Sequence, residues 1–267
     1  MSVAAPGARF TDAFAARPAD ALPGLMPYFT AGFPTLDATV PLLLAAEAAG
    51  CLAAEVGVPF SDPLADGPTI QRSGTRALAN GMTLRLAVRQ IADARAAGVT
   101  MPLAPMTYVN PVLAYGPAAF IADVREAGAD GLIVPDLPDD EAGGLRELAH
   151  SCGLALIPLV APTTTDRRLE HIAAHASGFV YCVNITGVTG ARAELASDAL
   201  LLLDRVRQHT ELPRVPGFGL RSHEHLVRLR GHAEGAAVGS AVIEALERDP
   251  GNAPDAARHF LRTMLDG

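Results

Sequence analysis

The sequence predicts a (β/α)8 barrel of the TIM type. Short apolar runs of strand length alternate with longer amphipathic stretches along all 267 residues. Near-continuous apolar strands are typical of a parallel sheet that is buried on both faces. Eight such units without a low-complexity linker favour a closed barrel over a doubly wound sheet, which usually carries GxGxxG after its first strand. Here the first strand leads into TAGFPT instead, and we expect one domain over residues 1–267.

The eight predicted strands are short and apolar. In order, they are Leu25–Thr30, Ala53–Val58, Leu103–Tyr108, Gly131–Val134, Leu154–Val160, Phe179–Val183, Arg214–Pro216 and Ala236–Val238. The stretches between them have the apolar spacing and the boundary residues of helices. These helices are Leu36–Ala49, Leu84–Ala97, Ala118–Ala127, Asp139–His150, Thr165–His175, Asp198–His209 and His223–Arg230. We also expect an extra N-terminal helix, and a short extra helix at Ser240–Glu247 before the last helix, Ala253–Leu265.

The composition excludes several classes of protein. A net charge of −8 argues against a surface for nucleic acid or anionic membrane. All 21 basic residues are arginines, so the chain has no lysine with which to form a Schiff base with a carbonyl compound or pyridoxal phosphate. The three cysteines lack CxxC spacing, which is typical of small buried residues in a reducing compartment. Without a secretory signal or a long apolar run, a cytoplasmic location is expected.

Glu55 interrupts the apolar run of the second predicted strand. A carboxyl group there either faces the barrel mouth or is buried at a considerable energetic cost. Desolvation would raise its pKa, which suits a general acid or base near neutral pH. The alternative is a structural carboxylate that is paired with an arginine or capped by backbone amides.

The loop after this strand contains two further carboxylates, Asp62 and Asp66. Asp-Pro and Asp-Gly sequences are common in turns, so both residues also have a structural interpretation. In a TIM barrel the loops after the strands surround the active site. An acid pair that includes Glu55 and faces one cavity is therefore a second hypothesis.

Glycine-rich sequences follow the last three predicted strands. They are GVTG at 187–190, GFG at 217–219 and Gly239-Ser240. TIM barrels frequently bind phosphate with late loops and the N-terminus of a short helix, where backbone N–H groups face the anion. The alternative is that these glycines only permit tight turns. Tyr28, Tyr181 and Asp136 also lie on or at the ends of strands, where an aromatic ring either packs or walls a flat ligand.

The histidines do not form a recognisable metal site. His171 and His175 share one face of a predicted helix, and His223 and His225 lie in another helix. A catalytic zinc ion needs three protein ligands, and no third ligand has a convincing spacing. We therefore expect these histidines at the surface and no metal in this chain.

The segment Glu55–Gln71, EVGVPFSDPLADGPTIQ, resembles the signature of the tryptophan synthase α chain family. Further similar motifs follow in the same order along nearly the whole chain: PMTYVNPVLAYG, ADGLIVPDLP, TGVTGAR, PGFGLRS and AVGSAVI. The resemblance implies retro-aldol cleavage of indole-3-glycerol phosphate to indole and glyceraldehyde 3-phosphate. In this chemistry the protonated indole ring takes up the electrons, so no lysine is needed.

The resemblance also implies a role for individual residues. Glu55 would be the acid and base, Asp66 would bind the indole N–H, and Tyr181 would support Glu55. The residues expected to contact the rest of the substrate are Tyr28, Met106, Ile133 and Thr189. The residues expected to hold the phosphate are Gly190, Gly219, Gly239 and Ser240.

A partner is implied as well: a β chain that carries pyridoxal phosphate and forms an α2β2 complex with this chain. Pro59 and Asp62 would contact it, and no cofactor is expected in the chain itself. Three alternatives stay open at this point: a stand-alone lyase that releases free indole, a non-catalytic barrel subunit, and an unrelated phosphosugar isomerase on the same fold.

Overall fold

A curled parallel sheet forms the centre of the fold in the computed structural model, which describes residues 4–183, 197–217 and 219–267. The strands of the described part are β1 (Gly24–Thr30), β2 (Ala54–Gly57), β3 (Leu103–Met106), β4 (Gly131–Ile133), β5 (Ala155–Ile157), β6 (Leu159–Val160), β7 (Val180–Cys182), β8 (Arg214–Pro216) and β9 (Gly235–Val238). Six of them pair in the order β5-β4-β3-β2-β1-β9, and the other three in the order β6-β7-β8. The architecture is the predicted TIM barrel.

The predicted fifth strand, Leu154–Val160, is two short strands in the structure. β5 pairs with β4, and β6 pairs with β7. Pro158 lies between them and lacks an N–H group, which breaks the ladder at this residue. Its carbonyl still accepts a hydrogen bond from the Tyr181 N–H at 3.0 Å. One chain segment thus joins the two groups of strands.

The opposite seam of the barrel lies between β8 and β9. The N–H of Glu234 donates to the carbonyl of Arg214 at 3.2 Å. In return, the Glu234 carboxylate accepts a hydrogen bond from the Arg214 N–H at 2.8 Å and pairs with its guanidinium group. These contacts close the ring of strands.

Helices surround the strands. Those of the described part are α1 (Ala8–Ala15), α2 (Thr39–Ala49), α3 (Pro68–Ala79), α4 (Leu84–Ala96), α5 (Val109–Tyr115), α6 (Pro117–Glu126), α7 (Gly143–Ser151), α8 (Asp166–His175), α9 (Ser197–Arg207), α10 (His223–Leu229), α11 (Ser240–Arg248) and α12 (Ala253–Asp266). Short 3-10 turns cover Asp139–Glu141 and Pro250–Asn252. None of these helices has the length and apolar character needed to cross a membrane.

The sequence pattern did not predict α3 and α5, and it predicted the start of two other helices too early. α3 begins at a proline directly after Gly67, a favourable first helical position. The predicted helix Leu36–Ala49 begins only at Thr39, and Asp139–Glu141 is a 3-10 turn that precedes α7. Helix boundaries of this kind depend on caps and tertiary contacts.

The N-terminal end of the barrel is filled by aromatic side chains. Phe10 and Phe14 of α1 are buried, and the ring centroids of Phe10 and Phe179 lie 5.2 Å apart in an edge-to-face arrangement. They pack with inward-facing strand residues such as Met26 and Val215. Because this end is filled, a cavity for a ligand has to lie at the carboxyl ends of the strands.

A buried ion pair joins α4 to the start of β4. The Arg95 guanidinium group lies 2.7 Å from the Asp130 carboxylate, which also accepts a hydrogen bond from the Leu103 N–H at 2.9 Å. The Asp130 side chain is 3% exposed and that of Arg95 is 15% exposed. Arg95 also donates to three backbone carbonyls, so one side chain satisfies several buried acceptors.

Replacement of Arg95 by methionine is expected to lower the free energy of unfolding by about 3 kcal/mol. The buried Asp130 carboxylate then keeps only the more distant and more exposed Arg9, at 3.5 Å, as a cationic partner. Urea denaturation measures the change. The control is Arg89→Met on the same helix, whose side chain is 76% exposed and lies 3.9 Å from Asp93; its effect should stay within about 0.5 kcal/mol. Equal losses in the two variants would contradict the prediction.

Candidate active site

Glu55 lies inside the barrel, on β2. Ala53 belongs to the interior cluster of side chains, and alternation along the strand places Glu55 on the same face. The side chain is 1% exposed. Its Oε2 accepts a long hydrogen bond of 3.5 Å from the Tyr181 hydroxyl, and its Oε1 is buried without a hydrogen-bond partner among the described residues.

Burial determines the charge of this carboxyl group. Desolvation raises the pKa of Glu55 to about 8, although the hydrogen bond from Tyr181 acts in the opposite direction. Glu55 is therefore mostly uncharged at neutral pH in the ligand-free chain. A protonated carboxyl group with a free oxygen inside the barrel is equipped to give a proton to a bound molecule.

Two glycines make room for the tyrosines beside Glu55. A Cβ atom at Gly217 would lie 2.7 Å from the hydroxyl of Tyr181. A Cβ atom at Gly57 would lie 1.9 Å from the hydroxyl of Tyr28, whose Cα is paired in register with that of Glu55. Burial is the main cause that raises the pKa of both tyrosines, so both phenols stay uncharged.

Asp66 follows β2 in the loop of residues 58–67, here called the β2 loop. Burial raises the pKa of Asp66 to about 6, while the nearby phenol of Tyr108 acts in the opposite direction. At neutral pH this carboxyl group is mostly ionised, unlike that of Glu55. The charges of both carboxyl groups raise the pKa of Tyr28 and of Tyr181, so the structure brings these four side chains together.

Met106 and Ile133 form part of an apolar wall. Their Cα atoms are paired in register at the ends of β3 and β4, and Gly57 is paired with Met106 on the other side. Ile133 is fully buried, whereas Met106 keeps some exposure. Both pack in the barrel interior on the side of the strands where Glu55 lies.

The predicted phosphate residues are described only in part. Gly239 is the last residue before α11, and a Cβ atom there would lie 3.6 Å from Cβ of Tyr28. Ser240 opens α11, so the N-terminus of this helix adjoins the residues around Glu55. Gly219 is exposed and has a φ of +70°, a conformation that favours glycine. Thr189 and Gly190 lie outside the described residues.

The residues predicted to contact a partner lie in the β2 loop. Pro59 is half-buried, whereas Asp62 is exposed and its carboxylate accepts a hydrogen bond from the Ser61 hydroxyl. Leu64 of the same loop is 93% exposed. The loop thus presents a carboxylate and an apolar side chain to the outside, while Asp66 at its end turns inward.

A group of possible metal ligands lies away from the barrel interior. One ligand atom each of Asp139, Asp140 and His171 lies within 4.8 Å of the others. Arg146 pairs with Asp139, and Arg168 pairs with Asp140 at 3.0 Å. The guanidinium groups already balance the carboxylates, so we interpret the group as an ion-pair network. His171 is 51% exposed, as the sequence predicted, whereas His225 of α10 is buried, so the surface prediction was wrong for that residue.

The fold and this arrangement define a class: a TIM barrel with two carboxyl groups of unlike charge and a helix N-terminus at one end. The sequence profile described as "Tryptophan synthase alpha chain" matches residues 14–264. The alpha chain from Roseiflexus castenholzii is 49% identical over 257 residues, which are 96% of this chain and 98% of the relative. The chain belongs to the tryptophan synthase alpha chain family, which implies a lyase activity in tryptophan biosynthesis.

Solved structures agree with this assignment. The alpha subunit from Legionella pneumophila superposes with a TM-score of 0.89 at 31% identity, with 97% of each chain covered. A chain of the α2β2 complex from Pyrococcus furiosus superposes with a TM-score of 0.86 at 38% identity, which covers 91% of this chain and 98% of that one.

The sequence did not predict that Gly57, Gly217 and Tyr108 lie beside these carboxyl groups. Gly57 follows Glu55 by two residues, so strand alternation places both on one face. A glycine within a strand indicates that another group approaches its backbone closely, but the sequence does not show which side chain this is. Tyr108 was assigned to a strand, whereas β3 ends at Met106.

The pH dependence of stability tests the burial of Glu55. The pKa of Glu55 is about 8 in the folded chain, and that of an unfolded glutamate is about 4.3. Between these two pH values the folded state binds one proton more than the unfolded state. Stability conferred by this group is therefore lost as the pH rises. Relative to Glu55→Gln, the wild-type free energy of unfolding should fall by about 1.4 kcal/mol per pH unit from about pH 5 to pH 8. Urea denaturation at four pH values measures this difference, and parallel curves would contradict it.

Proposed function

We propose that this chain cleaves indole-3-glycerol phosphate to indole and glyceraldehyde 3-phosphate, as the α subunit of tryptophan synthase. The observation that carries the proposal is the buried, uncharged carboxyl group of Glu55, with one oxygen free in the barrel interior. Membership of the family supports the choice of substrate. The reaction breaks a carbon–carbon bond and forms an aldehyde, so the enzyme is a carbon–carbon lyase.

Glu55 supplies the proton and takes one back. Its carboxyl group protonates the indole ring carbon that bears the glycerol chain, and the ring becomes a cation that accepts electrons. The carboxylate that results removes the proton of the adjacent glycerol hydroxyl. The carbon–carbon bond breaks, its electron pair restores the aromatic ring, and the hydroxyl carbon becomes the aldehyde. Because one proton is given and one is taken, Glu55 ends in its starting state.

Asp66 has the complementary role, since its carboxyl group is mostly ionised at neutral pH. A carboxylate accepts the hydrogen bond of the indole N–H and stabilises the positive charge that develops on the ring. Two carboxyl groups whose surroundings give them different protonation states are a common basis for dividing acid and electrostatic roles. The Tyr181 hydroxyl orients Glu55 through the hydrogen bond to its Oε2.

The remaining residues bind the substrate. Tyr28, Met106 and Ile133 provide apolar surface for the indole ring, and Thr189 is assigned to the substrate by resemblance. The phosphate binds at the N-terminus of α11, where backbone N–H groups and the Ser240 hydroxyl donate hydrogen bonds. Gly190, Gly219 and Gly239 complete this part of the proposal.

The proposed partner is the tryptophan synthase β chain in an α2β2 complex, with Pro59 and Asp62 among the contacts. The similarity to a chain of the Pyrococcus furiosus complex supports it, as does the exposure of Leu64 in the β2 loop. Pyridoxal phosphate belongs to the β chain in this proposal, because the present chain has no lysine to hold it covalently. A cytoplasmic location is part of the same proposal.

The test is release of indole from indole-3-glycerol phosphate by the purified chain, alone and with a tryptophan synthase β chain. We expect slow release that rises strongly when the β chain is added. Glu55→Gln should lose cleavage at least about a hundredfold under both conditions, because it removes the general acid. Glu126→Gln, an exposed glutamate on α6, is the matched control and should cleave like the wild type.

The outcomes of this test distinguish the functions that the sequence leaves open. Fast release that a β chain leaves unchanged would favour a stand-alone lyase. No release under either condition would overturn the proposal and leave a barrel subunit without this activity. Unchanged cleavage by Glu55→Gln would overturn the mechanism while leaving the substrate in place.

Ser240→Ala tests the phosphate site. Loss of one hydrogen bond should weaken binding of indole-3-glycerol phosphate by about 1 kcal/mol, or about fivefold. Calorimetric titration into the Glu55→Gln background, where the substrate survives, measures the affinity directly. Ser151→Ala on α7 is the control, since its hydroxyl donates to the Leu148 carbonyl at the surface. Equal affinities in the two serine variants would place the phosphate elsewhere.

A further inference from the structure

Tyr108 connects the β3 loop to both ends of the β2 loop. It follows β3 by two residues and is 4% exposed. Its hydroxyl oxygen accepts a hydrogen bond from the backbone N–H of Ala65 at 3.1 Å. Its ring packs against Phe60, with ring centroids 5.4 Å apart. A single side chain therefore fixes the start and the end of the loop that carries Asp66.

The phenol of Tyr108 has one more hydrogen bond to make. After it accepts from Ala65, its own proton remains available for an acceptor. The side chain of Asp66, the next residue along the chain, lies near this phenol and interacts with it electrostatically. Burial, and then the nearby Asp66 charge, raise the pKa of Tyr108. The phenol therefore stays protonated and uncharged beside the Asp66 carboxylate.

Asp136 fixes the backbone next to Tyr108. Its carboxylate accepts a hydrogen bond from the Val109 N–H at 2.9 Å. Asp136 lies after β4, so side chains tie three successive loops together, from β4 through β3 to β2. Asp136 therefore fixes the backbone beside Tyr108 on one side, and the Tyr108 side chain contacts the β2 loop on the other.

We propose that Tyr108 is a positioning residue for the cleavage reaction: its hydroxyl oxygen and its ring fix the β2 loop, and this holds the Asp66 carboxylate at the barrel mouth. The role of Asp66 in this statement rests on the proposed function. The contacts of Tyr108 do not depend on the proposed function, because they are observed in the chain itself.

In the described part of the chain, other titratable groups also surround Asp66. Tyr28 of β1 and Tyr181 of β7 interact electrostatically with Asp66 and stay uncharged. Glu55 lies on β2 and is mostly uncharged near neutral pH. Tyr108→Phe changes none of these groups, and it removes the hydroxyl that holds the β2 loop and that opposes the effect of desolvation on the Asp66 pKa. The Asp66 carboxyl group should therefore hold its proton to a higher pH.

The experiment compares Tyr108→Phe with Tyr115→Phe, which removes a phenol of α5 that contacts Arg85 and Asp123 instead. Carbon-13 NMR follows titration of the Asp66 carboxyl carbon, assigned by its loss in Asp66→Asn. In Tyr108→Phe we expect the midpoint to rise by about one pH unit, because Asp66 loses a polar neighbour that favours its charged form. The acid limb of the kcat/KM profile should move with it, so kcat/KM at low pH should fall about tenfold further than at high pH. Tyr115→Phe should match the wild type in both measurements.

The two readouts separate this inference from the proposed function. A raised Asp66 midpoint together with a displaced acid limb supports the positioning role. An Asp66 midpoint that is unchanged in folded Tyr108→Phe overturns it, whether or not the chain cleaves indole-3-glycerol phosphate. A raised midpoint with an unmoved acid limb also overturns it, because Tyr108 would then hold Asp66 without effect on the reaction. A wild-type chain without activity, alone or with a β chain, overturns the proposed function instead.

Discussion

Desolvation of Glu55 inside the ring of strands is the constraint on which the candidate site depends. A carboxyl group that is 1% exposed keeps its proton near neutral pH because water cannot reach it. That exclusion needs a closed barrel. The seam between Arg214 and Glu234 on one side, and the segment around Pro158 on the other, complete the ring.

The same barrel gives a second carboxyl group a different state. Asp66 lies in a loop, where burial is less complete and the phenol of Tyr108 favours the charged form of the carboxyl group. The proposed reaction needs a proton donor and a stabilising negative charge at the same time. Two residues of similar chemistry meet both needs because one belongs to a strand and the other to the loop after it.

Close packing of tyrosines against glycines gives the site its shape. Gly57 and Gly217 leave the space that the rings of Tyr28 and Tyr181 occupy. A methyl group at either glycine would overlap a ring that borders Glu55. Small residues at the strand ends are thus as much a part of the site as the groups that carry charge, and the wall they permit is rigid because the rings are buried.

The sequence by itself determined the barrel fold, the family and the two candidate carboxyl groups, Glu55 and Asp66, because strand periodicity and a contiguous motif are local features of the chain. It did not determine the break at Pro158, helices α3 and α5, or the partners of Tyr28 and Tyr108. The apolar run around Glu55 favoured a raised pKa but left a paired structural carboxylate open, and only the tertiary structure decided which of the two carboxyl groups is ionised. The reason is physical: a pKa depends on desolvation by strands and loops that are distant in sequence, and no local pattern encodes their approach.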